Sequence, residues 1–138
     1  LLLPNHTMKT TGDLPNYKNS FYDLNFEIHD PTGSGFAFHL METGASDITR
    51  VSLSGYEGYL FDHSGHFFGG YQSGVPFNVK VYFDSANETY SHYYNDVLVQ
   101  NNYDTVGVGG SKVINSVVFD KLSNESSTVS IDVSGTIS

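Results

Sequence analysis

Asp62-His63-Ser64-Gly65-His66 places a carboxylate and two imidazoles on one short, glycine-containing turn. Those are zinc-ligand types, and imidazoles at 63 and 66 can reach one ion across a tight turn. The sequence offers no third ligand beside them. An Asp opening such a turn also accepts backbone N–H bonds, and this capping role is the simpler expectation. Asp62, His63 and His66 therefore stand as metal candidates behind it. Calcium is left open and unassigned: Asp30, Asp47, Asp62, Asp84 and Asp104 are loop carboxylates that could supply hard oxygen ligands, but no EF-hand-like loop holds them. No other cofactor is expected. Catalysis finds little to work with. Ser64 lies outside any Gly-x-Ser-x-Gly elbow. Glu27, Glu42, Glu57, Glu88 and Glu125 are scattered, and none has a carboxylate two residues away on the same strand face, as a glycosidase-type pair would favour. We expect no catalytic residue and no enzyme.

Aromatic residues carry more of the functional signal. The chain has ten Tyr, ten Phe and no Trp. A flat ring can stack on the C–H face of a sugar while neighbouring Asn or His side chains take its hydroxyls. Tyr56, Tyr59, Tyr71, Tyr90, His92, Tyr93, Tyr94 and Asn95 are the candidates for such contacts, to a glycan or to another subunit. Subunit packing competes because interface cores are rich in aromatics and poor in charge. Tyr90, His92 and Tyr94 share one strand parity while Ser91 and Tyr93 share the other, so alternation does not say which set faces the core.

These residues must be positioned by one domain, since the chain has 138 residues. Six basic against 15 acidic residues give a net charge of -9, which leaves no basic patch for nucleic acid or an anionic membrane surface. The absence of Cys removes disulfides and thiol chemistry. No apolar run approaches the roughly 20 residues of a spanning helix. The chain opens on Leu1 and closes on Ser138 directly after a strand-like run, which suggests a processed fragment or one module of a longer protein.

Residues 1–20 show no period and read as an extended arm or edge segment, with 21–138 as the folded body. Tyr22, Leu24, Phe26 and Ile28 alternate with polar residues, as a half-buried strand requires. Asp30-Pro31-Thr32-Gly33-Ser34-Gly35 is a turn, after which Phe36, Phe38 and Leu40 resume the same parity. A hairpin is expected there, with Glu27 near His39 and His29 near Ala37. Further strands are expected at 48–53, 59–61, 66–68, 77–83, 89–94, 97–99, 113–120 and 128–134. About ten short strands with frequent turn signals and no helical period indicate an all-β, two-sheet antiparallel sandwich of jelly-roll type.

Val75–Asn102 sharpens that expectation. A strand ending at Phe83-Asp84, a polar turn, the return Tyr90-Ser91-His92-Tyr93-Tyr94, the turn Asn95-Asp96 and the short apolar Val97-Leu98-Val99 resemble a hairpin of the concanavalin-A-like (laminin-G-like, galectin-like) jelly rolls. Here Asp96 replaces the usual Gly, and Pro76-Phe77 stands near the usual Trp. The Glu-x-Asp-x-x-Glu pattern of the glucanases in that superfamily is missing. The wider texture, low in charge and rich in Tyr, Phe, Gly, Ser and Asn, resembles tail-fibre, baseplate and capsid-decoration modules of bacteriophages and secreted surface domains. What this implies is a non-enzymatic structural or binding module on a virion or other extracellular surface, partnered by itself or neighbouring subunits and by surface glycans. The alternative is a secreted carbohydrate-binding domain.

Overall fold

The computed structural model describes residues 2–3, 8–11, 14–122 and 129–138, with side chains described over 14–120 and 129–138. Among them, twelve strands and no helix build two six-stranded antiparallel sheets. The strands are β1 (Leu2–Leu3), β2 (Met8–Thr11), β3 (Asn19–His29), β4 (Gly35–Glu42), β5 (Ile48–Tyr56), β6 (Tyr59–Phe61), β7 (Phe67–Gly70), β8 (Phe77–Asp84), β9 (Thr89–Tyr94), β10 (Val97–Asp104), β11 (Ser116–Leu122) and β12 (Ser130–Ile137). Sheet A runs β1-β12-β3-β8-β9-β10, and sheet B runs β2-β11-β4-β5-β6-β7. This is the expected all-β jelly-roll sandwich.

Alternation builds each layer. Sheet A turns Tyr22, Leu24, Phe26 and Ile28 of β3, Phe77, Val79, Val81 and Phe83 of β8, and Ile131 and Val133 of β12 inward. Sheet B answers with Phe36, Phe38, Leu40, Val51, Leu53, Val117 and Phe119, all buried. Rings interlock where the layers meet: Phe26 stacks on Phe77 at 5.1 Å within its sheet and on Phe36 at 5.7 Å across the gap. Each such ring removes a large apolar area from water, worth about 2–3 kcal/mol.

The hairpin expected from 21–30 and 36–40 does not form, nor does the pairing of Glu27 with His39 or His29 with Ala37. β3 pairs with β8 and β12, and β4 with β5 and β11. The turn at 30–34 instead carries the chain from one sheet to the other, so the two matching apolar faces meet face to face. Parity is the same for either arrangement, and the cross-layer contact buries both faces.

Two-residue turns set the other hairpins. Glu57-Gly58 joins β5 to β6, and Asn95-Asp96 joins β9 to β10; both residues of each pair have positive φ. That geometry matches the twist of paired strands. Within 1–20, β1 pairs with β12, β2 with β11, and Tyr17 bridges Ile114. Thr128, at the start of the expected strand 128–134, lies outside the described residues; that strand is seen as Ser130–Ile137.

Among the described residues, the Arg50 side chain is completely buried. Arg50 donates to Glu42 at 2.6 Å, to Glu88 at 3.3 Å, and to the carbonyls of Val113, Gly107 and Gly109. Burial opposes ionisation of Glu42. The backbone N–H groups of Ser111 and Val113, together with Arg50, nevertheless hold its carboxyl below the usual carboxylate range. The network ties the 105–115 connection to the end of the sandwich.

Candidate functional site

Register shows which side chains share the outer face of sheet B. Ser54 pairs with Phe61 and Ala37, Phe61 with Phe67, and Tyr56 with Tyr59. Directly opposed residues in a sheet point to the same side, so Ser54, Phe61 and Phe67 form one row and Tyr56 and Tyr59 the next. Leu53 and Leu60, one residue off, are buried. Phe67 touches Tyr59 at 5.8 Å and Phe61 at 6.3 Å between ring centroids, both edge to face. Tyr59 is 56% exposed and Phe67 59%. Three rings, with Phe67 touching each of the other two, thus lie on an open face. Ser54 and Ser52 border them, and His39 stands opposite Ser52. Burial lowers the His39 pKa, partly offset by Asp120, so the imidazole is neutral at pH 7; its Nδ1 is shielded and has no partner.

Tyr59 also forms one wall of a cleft of about 520 Å³ at the adjoining end of the sandwich. Tyr71, Gln72, Pro76, Phe77, Tyr94 and Asn95 line the rest, with the Glu57-Gly58 turn at its rim. The Tyr71 hydroxyl is buried there beside the Gly58 backbone, with no hydrogen bond of normal geometry among the described residues. Burial is the main cause of its raised pKa, so it is a neutral donor. Tyr94 donates its hydroxyl to the Gly70 carbonyl, and its ring covers Gly69. Asn95 is committed to the hairpin: its Oδ1 accepts from the Asn78 N–H at 2.8 Å.

The eight aromatic-cluster candidates from the sequence therefore divide. Tyr59, Tyr71, Tyr94 and Asn95 converge on the cleft, and Tyr56 stands beside Tyr59 on the open face. Tyr93 lies on the other side of the molecule, on the outer face of sheet A, 6.3 Å from Tyr82. Tyr90 and His92 are interior residues with no outward face, because β9 turns that parity toward the core. Phe61, Phe67, Ser52 and Ser54 carry no such signal in the sequence, and His39 stands out there only as an expected neighbour of Glu27. β6 and β7 are three and four residues long, too short for alternation to show their outward side.

The turn at 62–66 brings His66 to Asp62 but keeps His63 apart from both. The Asp62 carboxylate accepts the N–H groups of Ser64 and His66 at 2.9 and 3.0 Å, the capping role expected of it. His66 Nδ1 lies 3.3 Å from the other carboxylate oxygen. His63 turns away, sharing a 2.9 Å hydrogen bond with the Tyr90 hydroxyl and stacking on Tyr103. Among the described residues, the cluster of three ligand types is a different one, on sheet A. Of the glutamates, Glu42 and Glu88 are bound to Arg50, and Glu57 accepts the Gly33 N–H at 3.1 Å.

The architecture is a two-sheet jelly-roll sandwich. No known family profile matches the sequence, and no curated protein does. Among solved structures, a sialidase superposes with a TM-score of 0.73 at 12% identity, over 100% of this chain and 15% of that one. The sialidase of Trypanosoma rangeli gives 0.59 at 13% identity, over 88% of this chain and 20% of that one. Galectin LEC-6 of Caenorhabditis elegans gives 0.58 at 10% identity, over 99% and 95% of the two chains. The chain thus spans 15% to 20% of those sialidases and 95% of the galectin. At these identities the likeness is one of fold.

Proposed function

We propose that this domain is a non-catalytic glycan-binding module that holds sugar on the outer face of sheet B. The observation that carries the proposal is the exposed contact set Tyr59, Phe61 and Phe67, bordered by Ser52, Ser54 and His39. Two hydrophobic rings more than half exposed cost solvation without adding to the core, and a sugar C–H face would recover that cost. The fold supports the reading. Galectins are carbohydrate-binding proteins, and Trypanosoma rangeli sialidase has been solved with sialic acid. The commitment of Glu42 and Glu88 to Arg50 favours binding over hydrolysis.

A glycan array probed with the labelled chain should give saturable hits. Tyr59→Ala and Phe67→Ala should remove them while the thermal midpoint stays within about 2 °C, since neither ring belongs to the core. An array without hits for the intact chain overturns the proposal.

Subunit packing is the second reading, and one observation favours it. Phe21 stacks on Tyr82 at 4.3 Å, and Tyr93 adds an edge contact, which makes a partly exposed aromatic row on the outer face of sheet A. In that reading the module sits in a virion or other extracellular surface assembly and contacts copies of itself. Sedimentation at tens of micromolar separates the two: a purely monomeric chain would argue against it.

A further inference from the structure

Glu27 and Asp132 occupy paired positions on the neighbouring strands β3 and β12. Their neighbours Phe26, Ile28, Ile131 and Val133 are buried, so both carboxylates project from the outer face of sheet A. His29 follows Glu27 by two residues and projects from the same face. The three side chains bring one imidazole nitrogen and two carboxylate oxygens within 4.8 Å of one another. Like charges placed directly opposite on adjacent strands repel. Among the described residues, no Lys or Arg forms an ion pair with Glu27 or Asp132; the ionic contact of Glu27 is with His29 Nε2 at 4.0 Å. That distance is too long for a hydrogen bond, and it suits two atoms that share an ion. A zinc ion takes N and O donors at about 2.0–2.2 Å, which places donors of a tetrahedron roughly 3.4 Å apart. Rotation of half-buried and exposed side chains closes the remaining gap.

The backbone holds the group ready. The eight register pairs from Ser130↔His29 to Ile137↔Tyr22 fix the β3–β12 spacing. On the open side, the Gly74 N–H bonds to the Ile28 carbonyl at 2.8 Å. A side chain built on Gly74 would sit 3.5 Å from the His29 ring, so the 72–75 turn packs closely beside it.

We propose that Glu27, His29 and Asp132 form a binding site for a divalent transition-metal cation of the zinc type. Imidazole with two carboxylates suits zinc better than calcium or magnesium, which favour all-oxygen sets. Three protein ligands leave a fourth position for water. The ion would neutralise the opposed carboxylates and clamp β12 to β3. The site lies on the opposite sheet from the aromatic patch, so it stands or falls independently of glycan binding.

Titration calorimetry of the whole chain with zinc chloride in a non-chelating buffer tests this. The expected result is saturable uptake of one ion per chain that raises the thermal midpoint. His29→Ala and Asp132→Asn should each weaken uptake roughly tenfold or more, a loss of about 1.4 kcal/mol or greater. His66→Ala, which alters the separate Asp62 contact, should leave uptake unchanged. Calcium chloride should bind at least tenfold more weakly than zinc. The proposal is overturned by a lack of saturable zinc uptake, by uptake that survives His29→Ala, or by uptake that His66→Ala abolishes. Calcium binding as tight as zinc, unaffected by His29→Ala, would equally overturn it by showing a bare carboxylate patch.

Discussion

His92 gives the fold a measurable weakness toward acid. Its side chain is fully buried between the sheets, edge-on to Phe68 at 4.8 Å, and neither ring nitrogen has a hydrogen-bond partner. Burial is the main cause that lowers its pKa from 6.5 to about 4; the charge of Asp62 opposes this and His63 adds to it. The unfolded chain takes up the proton first as pH falls. Stability from the neutral ring is therefore complete above pH 6.5 and is lost progressively until the folded protein protonates near pH 4. The shift corresponds to roughly 3 kcal/mol, a large share of the 5–15 kcal/mol typical of a domain. With a urea slope of about 2 kcal/mol per molar, the unfolding midpoint should fall by roughly 1.5 M from this residue alone. Carboxylates titrate in the same window, so the comparison is with His92→Phe, which keeps an aromatic ring and removes the titration. Urea unfolding from pH 7.5 to 4 for both proteins isolates the term. A stability difference between the two that stays constant across that range would refute the assignment.

Other expectations follow from packing and charge. Arg50→Met should cost about 3–5 kcal/mol by leaving Glu42 and Glu88 uncompensated, and amide exchange should accelerate first in 105–115. Gly55→Ala should cost about 1–3 kcal/mol in chemical denaturation, because a Cβ there would overlap the Phe36 ring in the core. Phe67→Tyr should retain array binding where Phe67→Ala removes it, with the loss checked by surface plasmon resonance on a hit glycan.

Much of this architecture was legible because inward positions recur every second residue. Tyr22, Leu24, Phe26 and Ile28 announce their face at once, as do Phe77 to Phe83. Asn95-Asp96 marks its turn because Asn and Asp tolerate positive φ. What parity does not encode is which strand lies beside which, and so 30–34 read as a hairpin when it crosses between sheets. Arg50 lay hidden for a related reason. A register shift between Leu40 and Met41 breaks the pairing of β4 with β5, and Arg50, next to the inward Val51, is carried into the interior. The candidate site was partly visible as a run of tyrosines, yet Tyr90 and Tyr93 on one strand face opposite ways. The Glu27–Asp132 juxtaposition needs two distant strands in register, which no local spacing reveals.

The placement of β12 beside β3 and β11 beside β4 also bears on how the protein is made. Until β11 and β12 leave the ribosome, the long apolar strands β3 and β4 each lack one lateral neighbour. β5 to β7 and β8 to β10 can close as local hairpins within microseconds. The pairings of β11 with β4 and of β12 with β3 join segments about 75 to 115 residues apart and must wait until β11 and β12 have been made. During that interval the open edges of β3 and β4 are the surfaces most able to pair with another nascent chain. A chain truncated before β11 should therefore aggregate rather than fold to a smaller sandwich.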